Sequence, residues 1–124
     1  MEKKTVLLVE DEPLLGNLLF QRLGKEGINV ILAKDGEEAL RVLAQTKPNL
    51  ILLDLILPKV SGFELMERLN SDAQFERAPI IIVSNLGQDS DILKGQSLGA
   101  VQYFIKAKLS IEDLVMQVKK TLGM

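Results

Sequence analysis

Five short apolar runs, at residues 5–9, 28–33, 50–54, 80–84 and 101–105, recur along the chain with helix-length amphipathic segments between them. Runs this short and this continuously apolar suit strands covered on both faces. The intervening segments carry helical spacing. Leu14, Leu15, Leu18, Leu19 and Leu23 follow Pro13, a residue suited to the first helical position. Ala39, Leu40 and Leu43 follow Asp35-Gly36, and Phe63, Leu65, Met66 and Leu69 follow Ser61. Ile111, Leu114, Val115, Val118 and Leu122 stand behind Ser110, a candidate N-cap. The segment 88–98 is the poorest helix, polar and interrupted by Gly95 before it ends at Gly99. Strand and helix thus alternate five times, which predicts an α/β fold: a (βα)5 doubly wound parallel sheet with right-handed crossovers. Pro13, Pro48, Pro58 and Pro79 all fall at the proposed boundaries, where a missing N–H does least harm.

A length of 124 residues with 47% hydrophobic and 26% charged residues supports one compact unit rather than disorder. No linker or repeat interrupts it, so residues 1–124 read as a single domain, with no output domain in this chain. Fifteen Lys+Arg against 17 Asp+Glu leave a net charge of -2, with no basic excess to draw nucleic acid or an anionic membrane. Cysteine is absent, which excludes disulfides, thiolate metal sites and cysteine nucleophiles. Histidine is absent as well, which removes the usual general base and any phosphohistidine carrier role. No stretch reaches the ~18 apolar residues of a spanning helix, and the run 6–9 stops at Glu10-Asp11-Glu12. The expected location is the cytoplasm.

Ligands of open α/β sheets bind outside the carboxyl ends of the strands. The first run ends in Glu10-Asp11, the third in Asp54, the fourth in Ser84 and the fifth in Lys106. Asp54 is the most informative, because it interrupts the most apolar stretch of the chain, where a lone carboxylate is costly unless paired or metal-bound. Taken singly, each of these residues has an ordinary explanation: a helix-start acidic loop, a strand-end serine, a solvated lysine. Together they change the weighing. Clustered carboxylates repel one another unless a cation sits among them, and hard oxygen ligands suit Mg²⁺. Carboxylates, a hydroxyl and a lysine around such a metal are the equipment of phosphoryl transfer, with Asp54 able to serve as nucleophile.

The motifs Val9-Glu10-Asp11-Glu12-Pro13, Asp54-Leu55-Ile56-Leu57-Pro58 with Gly62, Val83-Ser84, and Gly99-Ala100 followed by Tyr103 and Lys106 run in order along residues 5–122. In that order and placement they resemble the receiver domain of two-component response regulators. The resemblance implies a flavodoxin-like sheet of strand order 2-1-3-4-5. It also implies that Asp54 accepts a phosphoryl group from the phosphohistidine of a sensor histidine kinase or phosphotransfer protein. Asp11, Asp54 and the backbone carbonyl of Ile56 would bind Mg²⁺, with Glu10 assisting through water. Lys106 would pair with a phosphoryl oxygen, while Ser84 would donate to the phosphoryl group and shift toward it. Tyr103 would be the aromatic that reports the shift, and the surface built from the fourth and fifth strand–helix units would meet an effector whose identity stays open. Phosphorylation-dependent homodimerisation is compatible with the resemblance; direct nucleic-acid or membrane binding is not expected.

Three features depart from the commonest pattern of that family. Ala107 follows Lys106 where a proline is usual, and because a non-proline cis bond costs about 3–4 kcal/mol, a trans 106–107 peptide is expected. Asn85 stands where a smaller residue is usual, able either to obstruct the loop or to supply an extra hydrogen bond. Ile56 and Leu86 place apolar groups beside Asp54, which predicts shielding from water and a long-lived phosphoryl group. The competing readings are a binding-only pseudo-receiver and an aspartate-dependent phosphatase. The phosphatase is disfavoured because Ile56 occupies the position of its second acid. Neither a G-x-G-x-x-G nor a G-x-x-x-x-G-K-[ST] run appears, so a nucleotide-binding protein is disfavoured too.

Overall fold

A computed structural model describes residues 3–75 and 78–124. In chain order the elements are β1 (Thr5–Val9), α1 (Pro13–Lys25), β2 (Asn29–Ala33), α2 (Gly36–Gln45), β3 (Leu50–Leu53), α3 (Gly62–Ser71), β4 (Ile80–Ser84), α4 (Asp89–Ser97), β5 (Ala100–Ile105) and α5 (Ile111–Thr121). One short 3-10 turn, Lys106–Lys108, links β5 to α5. The strands form one parallel sheet in the order β2-β1-β3-β4-β5. The expected fold and strand order are both present.

Period-two alternation along the central strands divides the interior into two cores. Val6, Leu8, Leu50, Leu52, Ile81 and Val83 point to one side, where Leu19 and Leu23 of α1 and Leu114 and Val118 of α5 cover them. Leu7, Val9, Ile51, Leu53, Ile80 and Ile82 point to the other, beneath Ala39 of α2 and Leu65 and Met66 of α3. Residues of both parities are therefore apolar in β1, β3 and β4, which explains why those strands read as unbroken apolar runs.

Helix starts follow from local chemistry. The side chain of Asp35 accepts from the Glu38 N–H (2.8 Å), that of Ser61 from the Glu64 N–H (3.2 Å), and that of Ser110 from the Asp113 N–H (3.3 Å). Each satisfies a donor that the first helical turn leaves unpaired. Pro13 opens α1 in the position expected of it.

Strand limits differ slightly from the sequence expectation. β3 stops at Leu53, so Asp54 is the first residue past the strand, although its N–H still donates to the Val9 carbonyl (3.0 Å). Likewise β2 starts at Asn29, β5 starts at Ala100, and Lys106 opens the 3-10 turn instead of ending a strand. The larger revision concerns α4. Gly95, read as a weakness of that helix, is its buried residue. A Cβ there would lie 2.7 Å from Ile82 Cδ1 and 3.2 Å from the Tyr103 ring, so the glycine is what lets α4 lie close on β4 and β5. The 106–107 peptide is trans, as expected. Among the described residues, no helix is long and apolar enough to cross a membrane.

Candidate functional site

The parallel ladder carries three carboxylates to one rim of the sheet. The Glu10 N–H donates to the Ala33 carbonyl (2.9 Å), one residue beyond β1, and Asp54 is held against β1 in the same manner. Carboxylate oxygens of Glu10, Asp11 and Asp54 lie within 4.8 Å of one another. Glu10 and Asp54 are buried, whereas Asp11 is exposed at the mouth. Behind Asp54 the chain turns sharply, and Gly62 makes the turn possible. A Cβ at Gly62 would sit 2.5 Å from the Asp54 carbonyl oxygen and 2.6 Å from Leu55 Cα.

Both oxygens of Asp54 are partnered. The Ile56 N–H donates to Oδ1 (3.2 Å), and the Lys106 ammonium donates to Oδ2 (2.8 Å). Lys106 also donates to Glu10 Oε2 (2.9 Å) and stands 3.4 Å from Glu12 Oε1. Its side chain is only 8% exposed, so one ammonium offsets part of the charge of a buried acidic cluster. Burial by itself works against the ammonium, but the hydrogen bonds and charges of Asp54 and Glu10 outweigh it and hold Lys106 above its ordinary range. Glu10 is pushed up by burial, against the opposing pull of Lys106 and the Glu12 N–H.

Asp11, Glu12, Asp54, Ile56, Asn85 and Lys106 line one small cavity over Asp54. Ser84 is fully buried at the end of β4 and does not line it. Its hydroxyl oxygen accepts from the Leu86 N–H (3.4 Å). Tyr103 is half-buried and donates its hydroxyl to the Leu86 carbonyl, so the β4–α4 loop is held from both directions. Burial, and then the negative charges of Asp91 and Asp54, raise the Tyr103 phenol and keep it a donor.

Glu10, Asp11, Asp54 and Lys106, singled out from the sequence, stand together in the structure, and Ser84 and Tyr103 lie one loop away. The apolar pair beside Asp54 is only half as expected. Ile56 lines the cavity at 55% exposure, whereas Leu86 packs on the core under α2, α3 and α4 and lines no part of it. One contributor was missed. Glu12 was read as a helix-start acid, yet its N–H donates to Glu10 Oε2 (3.1 Å) and its carboxylate faces Lys106. Asn85 takes the hydrogen-bonding alternative: its Oδ1 accepts from the Ala107 N–H (3.1 Å).

The donor set fits a hard divalent cation, being made of oxygens with two buried carboxylates held by neighbouring strands.

Comparison with known proteins agrees with the geometry. The family model for the response regulator receiver domain matches residues 6–119. A phosphate regulon transcriptional regulatory protein, PhoB, of Rhizobium meliloti is 38% identical over 94% of this chain and 51% of its own length. A probable transcriptional regulator, ycf27, of Porphyridium aerugineum is 35% identical over 98% of this chain and 49% of its own. The chain thus spans about half the length of the curated relatives it matches. Among solved structures, the receiver domain of the Francisella response regulator 1452 superposes with a TM-score of 0.90 at 25% identity, covering 98% of both chains. With a family match over residues 6–119 and a superposition on a receiver domain that covers nearly the whole chain, this chain belongs to the response regulator receiver domain family.

Proposed function

We propose that this chain is a phosphorylation-switched signalling module in which Asp54 is the phosphoacceptor. The observation that carries the reading is the bridge of Lys106 from Asp54 to Glu10 at the mouth of an acidic cavity. A nucleophilic carboxylate is thereby held in place beside a fixed positive charge. A carboxylate oxygen of Asp54 attacks the phosphorus of a partner's phosphohistidine, and the P–N bond breaks with its electron pair leaving on the imidazole nitrogen. A phosphohistidine donor lies outside these 124 residues, which contain no histidine. A sensor histidine kinase or phosphotransfer protein is the matching partner.

Asp11, Asp54 and the Ile56 carbonyl would hold Mg²⁺, with Glu10 acting through water, and the ion would offset negative charge on the transferring oxygens. Lys106 then exchanges one carboxylate partner for a phosphoryl oxygen. Ser84 is drawn toward the same group, away from its present bond to the Leu86 N–H. Because Leu86 also receives the Tyr103 hydroxyl, movement of that loop reaches the surface formed by β4, α4, β5 and α5. A phosphoryl group adds about -1.5 to -2 of charge, by analogy with other phosphorylated side chains, and so biases a two-state surface. The reading concerns the receiver module alone, not the remaining half of longer relatives. It includes no reaction on external substrates.

Intact mass tests it directly, after incubation with acetyl phosphate, with and without Mg²⁺, on wild type and Asp54→Asn. One Mg²⁺-dependent phosphoryl adduct, absent from the variant, is expected. An adduct that persists in Asp54→Asn would move the acceptor elsewhere. If wild type neither takes up the group from acetyl phosphate or a histidine kinase nor binds Mg²⁺, a binding-only module replaces this reading.

A further inference from the structure

Asn85 and Ala107 each follow a residue placed at the phosphoryl site, Ser84 and Lys106. The structure joins them. Asn85 Oδ1 accepts from the Ala107 N–H at 3.1 Å, a donor that a proline at 107 would lack. Both residues are exposed, so no burial forces this contact, and Asn85 lines the cavity over Asp54 together with Lys106. The bond closes the loop after β4 onto the turn after β5. On one side of it Ser84 is anchored in the sheet, and on the other Lys106 reaches Asp54 and Glu10.

We propose that Asn85 is a positioning residue for phosphoryl transfer, acting through the Ala107 N–H to hold the turn that aims Lys106 at Asp54. The bond restrains a turn that an ordinary residue at 107 would otherwise leave freer to move. The link also fastens the loop expected to move to the lysine expected to hold the phosphoryl group. Displacement of Ser84 toward the acceptor is thus carried to the β5–α5 turn without passing through Tyr103. The inference rests on the phosphoacceptor reading for its consequence, but its geometry stands apart from that reading.

The test is a double-mutant cycle of Asn85→Ala and Ala107→Pro, with Asn85→Asp as the variant that keeps an acceptor oxygen. Two measurements are made on each protein: the Ala107 amide proton by NMR, where that amide exists, and the rate of acetyl phosphate labelling across a Mg²⁺ titration. In Asn85→Ala the Ala107 amide is expected to move upfield and exchange faster with water, while Asn85→Asp keeps the wild-type signature. Labelling at saturating Mg²⁺ should slow about three- to tenfold in Asn85→Ala, the effect of losing roughly one hydrogen bond, with the half-saturating Mg²⁺ concentration unchanged. In the Ala107→Pro background, Asn85→Ala should produce no further slowing. An equal slowing in both backgrounds, or an Ala107 amide indifferent to Asn85→Ala, would overturn the proposal. Wild type that is never labelled but shows the amide signature would instead sink the phosphoacceptor reading and leave Asn85 as a structural latch, with no positioning role.

Discussion

Lys106 places its ammonium 2.8 Å from Asp54, 2.9 Å from Glu10 and 3.4 Å from Glu12, with little access to water. A buried charge set of this kind depends on its single cation, because removing one partner strands the others in a poorly solvated site. Lys106→Met is therefore expected to destabilise the metal-free protein by about 3–5 kcal/mol, read from urea unfolding at neutral pH. Lys106 titrates higher in the folded state than in the unfolded chain, so its contribution is complete below the ordinary lysine value near 10.5 and is lost only as pH climbs through the raised one. The gap between wild type and variant should accordingly stay flat through neutral pH. If the acidic rim binds Mg²⁺, a concentration 100-fold above the dissociation constant adds about 2.7 kcal/mol to whichever protein binds it. The variant, with no ammonium competing for Glu10 and Asp54, should bind Mg²⁺ more tightly and recover part of its loss. Stabilities that Mg²⁺ leaves untouched in both proteins would count against a metal at this rim. At this scale the sequence was informative about Asp54, Glu10 and Lys106 through their conjunction at the strand ends, since each taken singly has an ordinary explanation. It was silent on the role of Glu12 and left two roles open for Asn85, because both depend on how near loops distant in the chain approach each other.

Helix α4 shows how a local signal can be read with the wrong sign. Propensity alone treats Gly95 as a defect worth about 1 kcal/mol relative to alanine. The neighbouring elements reverse that judgement, because Ile82 of β4 and the Tyr103 ring of β5 occupy the space a Cβ would need. Lys94, next to it, reaches across to α3, with its ammonium 4.6 Å from the centre of the Phe63 ring and 3.8 Å from Glu67. The glycine and the lysine thus seat α4 against both the sheet and the adjacent helix. Gly95→Ala is expected to destabilise the protein by up to about 2 kcal/mol, the net of an overpacking cost of about 1–3 kcal/mol and a propensity gain of about 1 kcal/mol. Urea unfolding decides the matter, and a more stable variant would restore the propensity reading. The same substitution should shift the Tyr103 ring resonances, since the new methyl would press on that ring. Strand and helix order was legible from periodicity because it depends only on neighbours in sequence. The seating of α4 was not, because nothing near Gly95 in the chain announces Ile82 and Tyr103.

Across the whole molecule, the first and last helices lie on one face of the sheet and close the same core. Two ion pairs clasp them: Arg22 with Glu112 at 2.7 Å and Lys119 with Glu26 at 2.7 Å, with Arg22 also 3.6 Å from Glu26. The clasp fastens opposite ends of the chain, so it stabilises the assembled fold rather than any single helix. The hydrogen bond from Lys119 first, then the Lys119 charge and Arg22, hold the Glu26 carboxyl below its ordinary value of 4.5. A carboxyl lowered on folding contributes stability that is present above its unfolded value and disappears as pH falls through the folded one. Glu26→Gln should therefore be less stable than wild type at pH 7. The difference should begin to shrink once pH drops below about 4.5 and vanish when Glu26 is protonated in both states. Because these side chains are within reach of solvent, 1 M salt should narrow the pH 7 difference as well. Unfolding midpoints of the two proteins in urea, at several pH values between 3 and 7, check this. A difference that holds steady across that range would mean that Glu26 acts through its packing on α1, and that the charge clasp between the chain's first and last helices contributes nothing to folding.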